Sequence, residues 1–141
     1  MKKFVCMMLA AALVFVLAAC SGGSSSSADK EYKWGEASFK VKDVTDDAAV
    51  VGDGGSGMSG KCVAVVLDFG DDTISQTVFE SNVSKGMLTL AGQKPKNYTY
   101  HMSNMVMESS GFVAQLTGEM KLFFDMDSGY EVNKSDLEIK E

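Results

Sequence analysis

Hydrophobic and polar positions follow two regimes along this chain. Residues 4–19 form an unbroken run of sixteen without a polar side chain, preceded by Met1, Lys2 and Lys3. From Tyr32 onward, apolar positions recur at every second residue in short stretches, the period at which a β-strand alternates its faces. Ala37, Phe39 and Val41 alternate with Ser38, Lys40 and Lys42, which predicts a half-buried strand. Over residues 61–69, Val63, Val65, Leu67 and Phe69 share one face and Cys62, Ala64, Val66 and Asp68 the other. Such a strand is expected at the centre of a sheet, with both faces mostly covered.

Leu88 and Leu90 predict a short strand, and Ala91, Gly92 and Gln93 a turn. The turn leads into residues 96–102, where Tyr98, Tyr100 and Met102 share a face. Residues 112–116 continue through Gly118, expected to mark a bulge or bend, into an alternating run at 119–126. Leu137 and Ile139 predict a last strand. Residues 46–60 read as a long glycine-rich loop and residues 103–110 as a loop or one helical turn. Residues 73–79 are β-branched, without an assignable inward face. About seven short strands separated by Gly/Asp/Ser turns predict an all-β, two-sheet antiparallel β-sandwich.

The N-terminal regime has another character. A positive start, a compact apolar run and small residues at its end describe a secretory signal, because a spanning helix wants about twenty apolar residues. The run ends in Leu17, Ala18, Ala19 and Cys20, which resembles the bacterial lipobox. That resemblance implies diacylglycerol on the Cys20 sulfur and cleavage between Ala19 and Cys20. Each buried methylene contributes about 0.8 kcal/mol, and two acyl chains anchor stably where one is marginal. Residues 21–33 read SGGSSSSADKEYK and offer little to bury. As flexible coil they reach about 20 Å root-mean-square. The expected organisation is a lipoprotein signal peptide at 1–19, a lipidated Cys20 with its tether at 20–33, and one folded domain at 34–141. The domain is expected to face the extracytoplasmic side, held to a bacterial cell membrane by lipid.

Charge and cysteine count narrow the function classes. All thirteen basic residues are lysine, against nineteen acidic ones, for a net charge of −6. Removing the signal takes Lys2 and Lys3, leaving eleven lysines against nineteen carboxylates, a net −8. Without arginine the chain has no bidentate guanidinium forks, and no nucleic-acid partner is expected. Cys6 leaves with the signal and Cys20 carries lipid, so Cys62 is the one remaining thiol and no intramolecular disulfide is expected.

A leading amphipathic strand, a glycine-rich loop, the hydrophobic run CVAVVLDF, a late GEMKLFFD run and a terminal Leu-x-Ile strand stand in that order. Together they resemble the immunoglobulin-like domains of unknown function on bacterial surface lipoproteins, over most of residues 34–141. The central strand departs from that pattern by ending in Asp68, Phe69 and Gly70, where the family places an asparagine and a polar turn. The resemblance implies an immunoglobulin-like sandwich on an anchored extracellular domain, and brings no catalytic residues.

Candidate chemistry is sparse. Cys62 with His101 supplies the parts of a thiolate nucleophile and its base, but Cys62 opens a hydrophobic strand and reads as a small buried apolar residue. His101, Met102, Met105 and Met107 fall within seven residues. Imidazole and thioether suit Cu(I), and the four can converge on one ion if the segment curls; packing is the competing reading. Residues 125–129 (DMDSG) start like a calcium loop but place glycine fifth rather than sixth. Asp43, Asp46, Asp47 and Asp53, or Asp68, Asp71 and Asp72, read as solvated turn carboxylates rather than cation ligands. Trp34 is expected to plug the edge of the core. No phosphate loop, dinucleotide fingerprint, zinc spacing or hydrolase elbow occurs.

The expected function is therefore non-enzymatic and needs no cofactor: an anchored binding or adhesion module for a protein or cell-wall partner. An extracytoplasmic copper-binding lipoprotein using His101, Met102, Met105 and Met107 is the alternative. A lipoprotein that caps another enzyme is a third possibility.

Overall fold

Alternation of buried and exposed side chains shapes most of the strands. In the computed structural model, which describes residues 30–46 and 57–141, they are β1 (Glu31–Trp34), β2 (Ala37–Thr45), β3 (Lys61–Ser75), β4 (Leu88–Leu90), β5 (Asn97–Glu108), β6 (Gly111–Met126) and β7 (Leu137–Ile139). A helix, α1 (Gln76–Ser84), joins β3 to β4, and a 3₁₀ turn (Lys134–Asp136) precedes β7. The expected signal segment, Cys20, most of the expected tether and residues 47–56 of the expected loop lie outside the described residues.

Five strands form one antiparallel sheet in the order β1-β2-β3-β6-β5, while β4 and β7 form a second. The fold is all-β, with seven strands in two antiparallel sheets. As the two-faced hydrophobic pattern required, β3 is central. Val63, Val65, Leu67 and Phe69 enter the main core, and Cys62 and Ala64 are buried on the reverse face with Phe123. Leu88 and Leu90 pair with Ile139 and Leu137, so both short runs belong to one ladder across the core. Phe79 and Val83 of α1 join Leu88 and Leu90 in packing against the five-stranded sheet.

The expected turn at residues 91–93 is tight. Leu90 and Gln93 exchange backbone hydrogen bonds at 2.9 Å, with Ala91 and Gly92 at positive φ. Gly118 sits at φ +71° where both neighbouring ladders slip register. Between the pairs Asp68/Glu119 and Thr73/Thr117, β3 carries four residues against that single glycine. Thr117 closes the bulge by donating its hydroxyl to the carbonyls of Gly70 and Asp72.

Three expectations change. The sheet starts at Glu31, earlier than the expected boundary at Trp34, because Tyr32 stacks on Phe39 at 5.6 Å and so leaves the tether. Residues 73–79 split into the end of β3 and the first turn of α1. Ser75 caps the helix, its Oγ accepting from the Val78 N–H, and Phe79 and Val83, four apart, bury one face. Residues 103–108 are strand rather than loop or helical turn. Their alternation is invisible in sequence because both faces are exposed there, and pairing with β6 holds them extended.

Trp34 is buried as expected, tilted on Phe39 at 4.9 Å, with its indole N–H donating to the Lys140 carbonyl at 2.9 Å. That bond ties the start of the sheet to the C-terminal segment.

Candidate functional site

Residues opposed across an antiparallel ladder share a face, so register shows where each β5 side chain stands. Tyr98 opposes Leu122, Met102 opposes Leu116, Met105 opposes Ala114 and Met107 opposes Phe112. Leu122, Leu116 and Ala114 belong to the main core. The three methionines and Phe112 therefore continue the core face of the sheet toward the β5–β6 turn.

Cover over that face stops partway. Phe79 of α1 meets Tyr98 edge-on at 5.6 Å and Tyr100 at 6.2 Å, and the two tyrosines stack on each other at 5.9 Å. Burial in that stack, with the Glu80 carboxylate adding to it, raises the Tyr98 phenol above its ordinary pKa. Past Tyr100 the β5 side of the face is bare: Met102 is 60% exposed, Met105 55% and Met107 62%, with Phe112 at 68% by the turn, whereas Leu116 and Ala114, their β6 neighbours on the same face, stay buried. Solvated side chains of this size, gathered on one sheet face, mark a contact surface more often than isolated exposed residues do.

A bulge adjusts the stripe. The ladder slips between Met102 and Asn104, and the Ser103 hydroxyl donates to the Gln115 carbonyl at 3.0 Å. Met102 and Met105, an odd number of residues apart, thereby come to the same face. His101 opposes Thr117 on the reverse side, and Glu108 opposes Gly111 at the hairpin tip, where it lines a shallow groove with Trp34 and Val78.

The His/Met set is therefore divided. Met102, Met105 and Met107 share a face and His101 does not. The curl that would close all four round one ion is absent, because the segment is extended strand. Met102 and Met107 oppose Leu116 and Phe112 and so are rooted about 13 Å apart along the ladder, while an ion takes sulfur ligands at about 2.3 Å. Met102 also leaves the core packing that its Tyr98/Tyr100 face suggested.

The other candidates are distributed as follows. Cys62 opposes Asp125, eight residues along β6 from Thr117, which opposes His101. Thiol and imidazole are thus separated by about 27 Å along the sheet. Asp125 is committed to the chain itself: it accepts from the Ser59 and Gly60 N–H groups at 3.0 and 2.8 Å and from Lys96 Nζ at 3.1 Å. Those backbone donors, then the lysine, hold its carboxyl well below the usual value. Gly60 is required at this crossing, since a Cβ there would lie 2.1 Å from the Met126 carbonyl oxygen. A shallow groove of about 470 Å³ beside the β3 bulge includes Glu31, Lys40, Asp68 and Asp72. Asp68 accepts from the Gly70 N–H and Asp72 from the Ser38 N–H, each at 2.8 Å. Asp43 accepts from the Val44 N–H, and Asp46 pairs with Lys61 at 2.9 Å. Among the described residues no three His, Cys, Asp or Glu side chains gather as a metal site.

Sequence reasoning singled out the methionines for their sulfur and missed Phe112 as a surface residue. Nothing in the order of residues 112–116 sets Phe112 apart from the buried Ala114 and Leu116 on the same face. Comparison with protein-family models, with curated proteins and with solved structures found no match.

Proposed function

We propose that this chain is a lipid-anchored, extracytoplasmic binding module that uses the end of the β5–β6 hairpin as its contact surface and performs no catalysis. The observation that carries this reading is the bare continuation of the core face through Met102, Met105, Met107 and Phe112. An apolar face is costly to leave in water and is stabilised by whatever covers it. Anchoring rests on the Leu17–Cys20 pattern, which would hold the domain on the same surface as a protein or cell-wall partner.

The experiment uses the full chain in membranes. Wild type is expected in the membrane fraction and, after mild detergent extraction, in a native-gel species larger than the chain alone. Phe112→Asp should shift that species to the size of the chain while leaving it in the membrane fraction, and Cys20→Ala should leave the precursor unprocessed or release it. Migration of wild type as the bare chain would remove the binding surface, and normal processing of Cys20→Ala would remove the anchor.

A further inference from the structure

We infer that the bare methionine face is covered by the same face of a second copy of this chain, packed about a two-fold axis so that each hairpin supplies the layer the other lacks. This deepens the binding reading above and rests on it.

Layering is the first argument. A β-sheet buries its apolar face against a second layer. Here that layer buries Leu116 and Ala114 on β6, but on β5 it ends at Tyr100, and the uncovered strip continues through Met102, Met105 and Met107 to Phe112. A two-fold pairing lays identical patches on each other, so one uncovered surface completes two sandwiches. Methionine suits such a contact, because its flexible thioether chain interdigitates with a copy of itself without a fixed shape.

Charge selects the occupant. The whole chain carries −6 and repels its own copy over most of its surface. Residues 97–118 hold no lysine, one carboxylate (Glu108) and one imidazole (His101). His101 stands on the reverse side by register, and Glu108 lies at the hairpin tip, beside Trp34 and Val78. Between Glu80 beside Tyr98 and Glu108 at the tip, the methionine strip itself carries no charge, so two copies of an acidic protein meet there with the least like-charge cost. It also lacks the cations that would hold lipid phosphates or an acidic protein.

Area sets the strength. The solvated parts of Met102, Met105, Met107 and Phe112 amount to roughly 500 Å² per copy, about 1,000 Å² for two, the lower bound for a specific interface. The expected dimer is weak and reversible in solution. Tethering both copies to one membrane raises their mutual effective concentration.

Two full-length copies with different epitope tags are co-expressed, one carrying Phe112→benzoylphenylalanine, and membranes are irradiated. The expected product has twice the chain mass and carries both tags. Replacing Met105→Glu and Met107→Glu together should lower its yield roughly tenfold or more, with the thermal midpoint unchanged. An adduct to a different protein, or to lipid, without a doubly tagged species overturns self-association and leaves the binding surface standing. No adduct of any kind overturns both. A doubly tagged product insensitive to the methionine replacements overturns the assignment of this face.

Discussion

The two ends of the β5–β6 hairpin are built from similar side chains and meet different fates. At the covered end, Met120, Leu122, Phe124 and Met126 are buried beneath α1 and the β4/β7 sheet. At the other, Met102, Met105, Met107 and Phe112 occupy the same face and stand in solvent. Residue type does not separate them, since each end has methionine and phenylalanine. The difference lies in the cover, which buries Leu116 and Ala114 on β6 and leaves their β5 partners Met102 and Met105, and the hairpin tip beyond, in solvent. An apolar residue contributes to stability only where something excludes water from it.

Three substitutions test that contrast. The largest effect is expected from Phe124→Ala, which empties a fully buried site and should cost about 3–5 kcal/mol of unfolding free energy, measured by urea denaturation. A loss near zero would mean the covered end is no core.

A pH effect comes next. The Asp125 carboxylate closes the covered end by holding Ser59, Gly60 and Lys96, and its folded pKa lies below the ordinary 3.8. A depressed carboxyl favours the folded state fully above its unfolded pKa, and that contribution is lost as pH falls from about 5 downward through the folded value. Asp125→Asn should therefore flatten the loss of thermal midpoint in acid, while wild type falls more steeply. Parallel pH profiles would show that these bonds do not depend on the charge.

The smallest effect is expected from Phe112→Ser. On a chain kept dilute enough to be monomeric, it should change unfolding free energy by no more than about 0.5 kcal/mol. A cost near that of Phe124→Ala would show that the hairpin end is packed after all and would collapse the contrast.

How much of this was legible in the sequence depends on burial. β2, the first half of β3, β4, the second half of β6 and β7 announced themselves because each is buried on a defined set of faces, and that asymmetry is what hydrophobic periodicity records. The end of β5 was not legible. Residues 103–108 are solvated on both sides, so nothing in their order distinguishes strand from loop, and the backbone ladder with β6 decides it. The helix was missed for a different reason: Ile74 and Val78 read as β-branched strand residues, while the Ser75 cap and the Phe79/Val83 spacing carried the helical signal. The methionines were singled out as a cluster, but their faces were not derivable. A bulge at Ser103 moves every later side chain to the opposite face from the one simple alternation assigns.

The sequence by itself determined the class of fold, the central place of residues 61–69, the turn at residues 91–93 and the bend at Gly118. These follow from local alternation and from the backbone freedom of glycine, which act over a few residues. Only the tertiary structure decided where the cover ends, that β5 is an outer strand, and that Met102, Met105, Met107 and Phe112 form one exposed surface while His101 faces away. Those outcomes depend on which element lies across the sheet and on ladder register between segments distant in the chain, and neither is written in the order of neighbouring residues.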